Sequence, residues 1–254
     1  MILCCDIGNT NIVFGIYEND KLVKKIRLTT YKDKTIDEYE HLFLNILNNY
    51  KGTIIKKIVL SSVVPILTDK IAISLENIFK VKTIIVNSGI KTGLIIRTDD
   101  PQEVGADLVS GAVGVLNKYG TPTILVDLGT ATKFIIITEP NILYGVSIAP
   151  GLKISADALA NKAAQLPEIS LIAPKSPFGK NTLDAMNSGC VYGCCGLIEG
   201  IVQRIEKALN KNFNVILTGG IAPKVINFLN IDFIYDENIV LDGLYQIYLK
   251  NKER

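Results

Sequence analysis

Two short segments carry the residues best suited to chemistry. The first is Asp6-Ile7-Gly8-Asn9-Thr10-Asn11-Ile12-Val13, and the second is Asp127-Leu128-Gly129-Thr130-Ala131-Thr132. In each, an apolar strand ends in Asp-x-Gly, small hydroxyl or amide residues follow, and a second apolar strand begins. Glycine at a strand end lets backbone N–H groups approach phosphate oxygens with no side chain between them. Thr10, Thr130 and Thr132 add hydroxyl donors. Asp6 and Asp127 can hold a cation directly or through water, because Mg²⁺ prefers hard oxygen ligands and keeps several waters. A single Asp-Gly turn need only close a hairpin. Two of them at matching places, about half a chain apart, indicate duplicated domains that handle phosphate.

A third glycine-bearing segment, Val215-Ile216-Leu217-Thr218-Gly219-Gly220-Ile221-Ala222-Pro223, reads as a buried strand, a double glycine and a helix with proline in its first turn. Gly219 and Gly220 would let adenine and ribose lie against the backbone, although such a turn also serves ordinary tight packing. A fourth segment runs from Thr98 to Asp107. Asp100 as N-cap, Pro101 as N1 and Glu103 as N3 predict a capping-box start to a helix. Helical spacing sets Asp100, Glu103 and Asp107 on a polar face, opposite Val104, Leu108, Ala112 and Val115. Capping accounts for the first two acids and leaves Asp107, one turn further in, as the candidate for deprotonating a substrate hydroxyl.

The elements that must position these groups follow from hydrophobic period. In the first half, the opening hairpin is followed by a strand near 22–28, a helix near 36–47 and a buried strand at 58–62. A helix near 66–79, a strand at 83–86 and a helix near 104–118 come next. In the second half, 141–148 supplies strands and turns, 183–209 a long helix, 215–218 a strand and 222–229 a helix. An antiparallel start followed by strands alternating with helices gives a mixed sheet flanked by helices. The expected architecture is therefore α/β, with duplicated ribonuclease-H-like domains of the actin/hexokinase type at 1–118 and 119–254 and an active cleft between them. Walker-type lysine loops and dinucleotide fingerprints are absent from the sequence.

Composition removes other classes. The net charge of +2 is spread over mixed acids and bases, so nucleic acid is not an expected partner. The start meets Asp6 before a signal core can develop, and no apolar run approaches the ~20 residues of a membrane span, so a soluble cytoplasmic protein is expected. Five cysteines, an odd number, read as buried thiols rather than a disulfide set. His41, the only histidine, falls on an amphipathic helix and reads as a surface residue. Asn181 or Thr182 is placed as the N-cap of the long helix. Gly189, Gly193, Gly196 and Gly200 form a small-residue stripe for close packing in the core or between subunits.

With these residues assembled, the chain resembles the type III pantothenate kinase family from end to end. The resemblance rests on Asp6-Ile-Gly-Asn-Thr10, Ser61-Ser-Val-Val-Pro65, Lys91-Thr-Gly-Leu94 and Asp100-Pro-Gln-Glu-Val-Gly-Ala-Asp107. It continues through Val126-Asp-Leu-Gly-Thr-Ala-Thr132, Ile148-Ala-Pro-Gly151, Gly179-Lys-Asn-Thr182 and Thr218-Gly-Gly220. It implies ATP-dependent phosphorylation of pantothenate, the first step towards coenzyme A, with a divalent cation (Mg²⁺) and a monovalent cation (K⁺ or NH₄⁺). It also implies a homodimer whose subunits complete each other's substrate sites. By position, Asp6 to Val13 would bind ATP phosphates and Thr130 would touch ATP. Asp127 would hold the monovalent ion and Asp107 would be the base. Thr98, Gly105, Ala106, Asp107, Leu108 and Thr182 would line the pantothenate pocket.

Four positions depart from the family's pattern. Thr98 stands where tyrosine is usual, Leu108 where arginine is usual, Lys133 where threonine is usual and Val146 where a second glycine is usual. Lys133 can place its ammonium near Asp127 or the phosphates, standing in for the monovalent ion, or strand alternation can turn it out to water. Two further readings keep the fold and change the role: a catalytically weak, nucleotide-binding partner subunit, or a kinase for another small hydroxyl compound.

Overall fold

The computed structural model describes residues 1–47 and 54–252 and divides into two compact units. One comprises Met1–Lys118 with Asn238–Arg254, and the other Tyr119–Glu237. The last segment, expected within the second domain, packs in the first unit instead. Its helix α6 (Ile239–Asn251) lies against α3 (Ala106–Lys118) at a distance only glycine allows: a Cβ on Gly243 would fall 1.7 Å from the Ser110 carbonyl oxygen.

In the first unit, β1 (Ile2–Ile7), β2 (Asn11–Glu18), β3 (Lys21–Thr29), β4 (Lys57–Ser62) and β5 (Thr83–Ile85) form a sheet in the order β3-β2-β1-β4-β5. The β1–β2 and β2–β3 pairs are antiparallel, while β4 runs parallel to both β1 and β5. Both faces of β1 are covered, which explains its near-continuous apolar sequence. Leu3, Cys5 and Ile7 pack with α1 (Ile36–Leu47) and α2 (Pro65–Phe79) through Tyr39, Phe43, Leu67 and Ile71. Ile2 and Cys4 face the opposite way, onto Val109 and Val113 of α3 and Leu241 and Leu244 of α6. A two-residue strand, β6 (Ile95–Ile96), precedes α3.

The second unit repeats the opening. β7 (Thr123–Leu128), β8 (Ala131–Thr138) and β9 (Ile142–Pro150) form an antiparallel meander, and β10 (Asn214–Thr218) joins β7 in parallel with β11 (Ile234–Tyr235) beyond it. The repetition extends to an irregularity. The register shifts after Ile16 in β2 and after Ile136 in β8, the sixth residue of each strand. Ile124, Val126, Leu128 and Phe134 bury against α4 (Leu152–Lys162) and α5 (Thr182–Leu209), chiefly through Leu152, Val191, Ile198 and Val202.

Three local expectations change. The helix expected near 222–229 is two separate 3₁₀ turns, Ala222–Lys224 and Ile226–Phe228. α4 occupies a stretch for which no helix was expected. α5 is long and apolar enough to cross a membrane by length and composition, contrary to the sequence expectation, but half of its apolar window is buried inside the protein.

Candidate active site

In the first unit the candidate residues converge through the end of β4. Asp6, next to last in β1, pairs beside Ser61, whose hydroxyl donates to Asp6 Oδ1 at 2.6 Å. One step on, the Val63 N–H donates to the Ile7 carbonyl, and Val63 lies 3.7 Å from the position of a Cβ on Gly105. Asp6, the Ser61–Val63 corner and the Gly105–Asp107 segment are therefore contiguous. The same imagined Cβ would fall 2.7 Å from Asp107 Oδ1, so glycine keeps the backbone clear of this carboxylate.

The turn after Asp6 is held from β3. Thr30 donates its hydroxyl to the Gly8 carbonyl at 2.7 Å and its N–H to the Thr10 carbonyl at 3.0 Å. Asn9 and Thr10 are exposed, and Lys32 Nζ reaches Asn9 Oδ1 at 3.4 Å. Ile7 and Ile12 have fully buried side chains, so they can face a ligand only through backbone groups.

Asp107 sits differently from the expectation. Asp100 does act as a cap, accepting from the Gln102 N–H at 2.8 Å, but it caps a 3₁₀ turn at Pro101–Glu103. Val104 is extended, and α3 begins afresh at Ala106. Asp107 is therefore in the first turn of its helix, where the positive end of the helix dipole favours a carboxylate. Asp100 and Glu103 do not share its helix. Leu108 is 9% exposed, and among the described residues the buried Thr98 hydroxyl has no hydrogen-bond partner. A buried hydroxyl left in that state favours a ligand that can pair with it.

In the second unit, Asp127 lies directly across the β7–β8 ladder from Lys133. The Lys133 ammonium is 2.6 Å from Asp127 Oδ2, and the two side chains are 18% and 19% exposed. This settles the orientation of Lys133: it turns towards the aspartate. The turn beyond Asp127 is clamped by two backbones. Gly219 has φ +95°, and a Cβ there would fall 2.5 Å from the Leu128 carbonyl oxygen; one on Gly151 would fall 2.2 Å from that of Thr130. The Ile221 N–H also donates to the Leu128 carbonyl at 3.0 Å. Thr130 and Gly220 remain exposed, whereas Thr132 is buried and faces the core.

Thr182 is the first residue of α5, and Asn181 is the N-cap, accepting from the Asp184 N–H at 2.9 Å. Both line a cavity of about 860 Å³ between α4 and α5, together with Leu152, Leu159, Met186 and Cys190. Gly189 and Gly193 also border it, and added Cβ atoms on Gly189, Gly193 or Gly196 would meet nothing within 4 Å. The stripe is thus not closed against the core of this chain. The cysteines are free, and burial pushes their thiols up, to about 11 for Cys194 and about 12 for Cys195. Among the described residues, no group of three or more His, Cys, Asp or Glu side chains could hold a metal by itself.

A family model described as type III pantothenate kinase matches residues 2–204. A type III pantothenate kinase of Bacillus cytotoxicus is 42% identical over 253 residues, covering 99% of this chain and 97% of the relative. The chain belongs to the type III pantothenate kinase family. Solved structures agree on the fold. A conserved Baf family protein of Campylobacter jejuni, described as a transcriptional activator, superposes with TM-score 0.61 at 22% identity, covering 99% of this chain and 100% of that one. The activator of 2-hydroxyisocaproyl-CoA dehydratase from Clostridium difficile, with bound ADPNP, gives 0.52 at 15%, covering 99% and 96%. The fold is that of the actin/hexokinase-like ATPases.

Measured against the type III pantothenate kinase pattern, three contributors had no role in the sequence reading. Ser61 and Gly151 lie within motifs that carried the resemblance, but their partners are remote in sequence. Thr30 lies outside those motifs, and only the β2–β3 register brings it to the turn.

Proposed function

We propose that this chain transfers the γ-phosphoryl group of ATP to the terminal hydroxyl of pantothenate, opening the route to coenzyme A. The observation that carries the reading is the contiguity of Asp6, the Ser61–Val63 corner and Asp107 in a chain of this family. The backbone of Gly8 to Asn11, with Thr10, takes phosphate oxygens, and Thr130 touches ATP. Gly219 and Gly220 give the adenosine a surface free of side chains. A divalent cation would be held by Asp6 together with phosphate oxygens and water, which suits one carboxylate better than an all-protein cage would. That ion would neutralise charge developing on the transferring group.

Asp107 accepts the proton from the pantothenate hydroxyl. Gly105, with no side chain of its own, leaves room for the hydroxyl beside it. Thr98 offers the same substrate a hydroxyl that has no partner among the described residues, while Thr182 lines the cavity between α4 and α5. The reading includes a homodimer: Leu159 is an exposed apolar residue lining the same cavity as Gly189 and Gly193 of α5. It also includes a cytoplasmic location, where ATP and pantothenate meet. A free monovalent ion is left out of this reading, because Asp127 already holds the Lys133 ammonium.

The test is ATP turnover by the purified protein with pantothenate, set against a panel of other small hydroxy acids. Asp107→Asn should lower the turnover number by about 10²–10⁴-fold while nucleotide affinity stays within about twofold. Full turnover by that variant would remove Asp107 as the base. Leu108 supplies no charge for the pantothenate carboxylate, and hydrogen bonds to charged groups contribute roughly 1.5–3 kcal/mol. Thr98→Tyr combined with Leu108→Arg should therefore tighten pantothenate binding by about one to two powers of ten, measured by calorimetry with a non-hydrolysable ATP analogue present. An unchanged affinity would mean that another group, Lys180 or Lys153, already pairs with the carboxylate.

A further inference from the structure

The family implies a monovalent cation at Asp127, and the donor set there does not suit one. A potassium ion needs an open shell of oxygen ligands. Asp127 Oδ2 instead carries an ammonium at 2.6 Å, within a pair whose members are each about four-fifths buried. Asp127 and Lys133 are directly opposed in an antiparallel ladder, so their side chains leave the sheet on the same face and remain neighbours. A second cation on the same carboxylate would lie within a few ångströms of this ammonium and be repelled. Water and salt screen that repulsion much less here than they would at an exposed site.

We propose that Lys133 is a built-in replacement for the monovalent cation, and that this chain binds and uses nucleotide without potassium or ammonium. Free ammonium and a lysine head group present the same charge and the same kind of N–H donor, the lysine giving up one of them to its tether, so the substitution is chemically conservative. It differs in being tethered: the ion is always present, at a position fixed by the β7–β8 register. Lys133 acts as a positioning residue, balancing the carboxylate and fixing the orientation of Asp127 beside the Gly129–Ala131 turn. Threonine, which the resemblance leads one to expect at this position, has no charge and would leave Asp127 open to an ion from solution.

The inference rests on the kinase reading, but a nucleotide-binding measurement separates the two. Affinity for a non-hydrolysable ATP analogue with Mg²⁺ is measured by calorimetry in tetramethylammonium, potassium and ammonium chloride at equal ionic strength, alongside pantothenate turnover. For the natural chain, both quantities should vary less than twofold among the salts. Lys133→Thr should lose at least tenfold in tetramethylammonium and recover in potassium or ammonium. A tenfold dependence of the natural chain on potassium would overturn the proposal. So would a Lys133→Thr protein that melts normally and binds nucleotide equally well in all three salts, since the lysine would then be structural only. If Lys133→Thr does not fold, thallium-205 NMR of the natural chain decides. Saturable broadening displaced by potassium overturns the proposal, and its absence supports it. Salt-independent nucleotide binding without pantothenate turnover would sink the kinase reading while sustaining the role of Lys133.

Discussion

The β1–β2 and β7–β8 hairpins are the same device built twice, and their differences are more informative than their likeness. Burial along β1 and β7 follows the same pattern, and the register shift falls at the same residue of β2 and β8. Between the paired Ile7 and Ile12 the first turn holds four residues, closed by the Gly8 N–H on the Asn11 carbonyl. Between Leu128 and Thr132 the second holds three, closed by the Gly129 N–H on the Ala131 carbonyl. Val13 lies opposite Asp6, and Lys133 lies opposite Asp127. The strand pairing is preserved between the two hairpins, while the residue facing the aspartate changes from an apolar Val13 to a charged Lys133.

The largest expected effect separates the two aspartates. Asp6→Asn should lower turnover by about 10²-fold, because a metal's stabilisation of developing charge is worth several kcal/mol, and should leave the melting temperature nearly unchanged. Asp127→Asn should also impair turnover, but its distinguishing mark is lost stability. The shielded Lys133 ammonium would lose its ionic partner, a cost of about 1–3 kcal/mol, read by denaturant titration. Equal melting of both variants, with full activity in both, would end the assignment of distinct roles.

A transplant tests the comparison from the other side. Val13→Lys puts an ammonium opposite Asp6 in the register that Lys133 occupies opposite Asp127. Turnover should fall about tenfold, the equivalent of 1.4 kcal/mol, and half-maximal activity should need more Mg²⁺. An unaltered Mg²⁺ profile would show that the two ladders do not direct their side chains alike.

The clamps hold the smallest effect, at Gly129, set against a larger one at Gly219. Gly219→Ala forces a Cβ into the Leu128 backbone at positive φ and should cost about 1–3 kcal/mol. Gly129→Ala meets only ordinary contacts at 3.7 Å and should stay within about 0.5 kcal/mol. Thermal unfolding of the two variants ranks them, and the reverse order would place the tight approach in the wrong turn.

Local signals were strong where local physics decides. The α1 pattern gave the bounds observed, 36–47, because its apolar spacing is long and regular. The Asp-x-Gly turns were visible because glycine and small polar residues there serve a backbone need. At 222–229, proline and the short apolar spacing suggested a helix. The chain instead breaks into two 3₁₀ turns, with Ala222 and Val225 fully buried and the Cys195 thiol donating to the Val225 carbonyl. That contact comes from a helix thirty residues earlier, so no window of sequence around 222–229 contains it.

The sequence by itself determined the duplicated hairpins, the acids at their ends and the family, since each depends on residue type and spacing along the chain. Tertiary structure alone decided that α6 returns to the first unit, where Gly243 admits the backbone of α3. It also decided that Asp107 opens its helix and that Lys133 points at Asp127. The reason is common to all three. Period and propensity specify which face a side chain occupies, but the partner on that face is fixed by pairing register and close approach between segments distant in sequence.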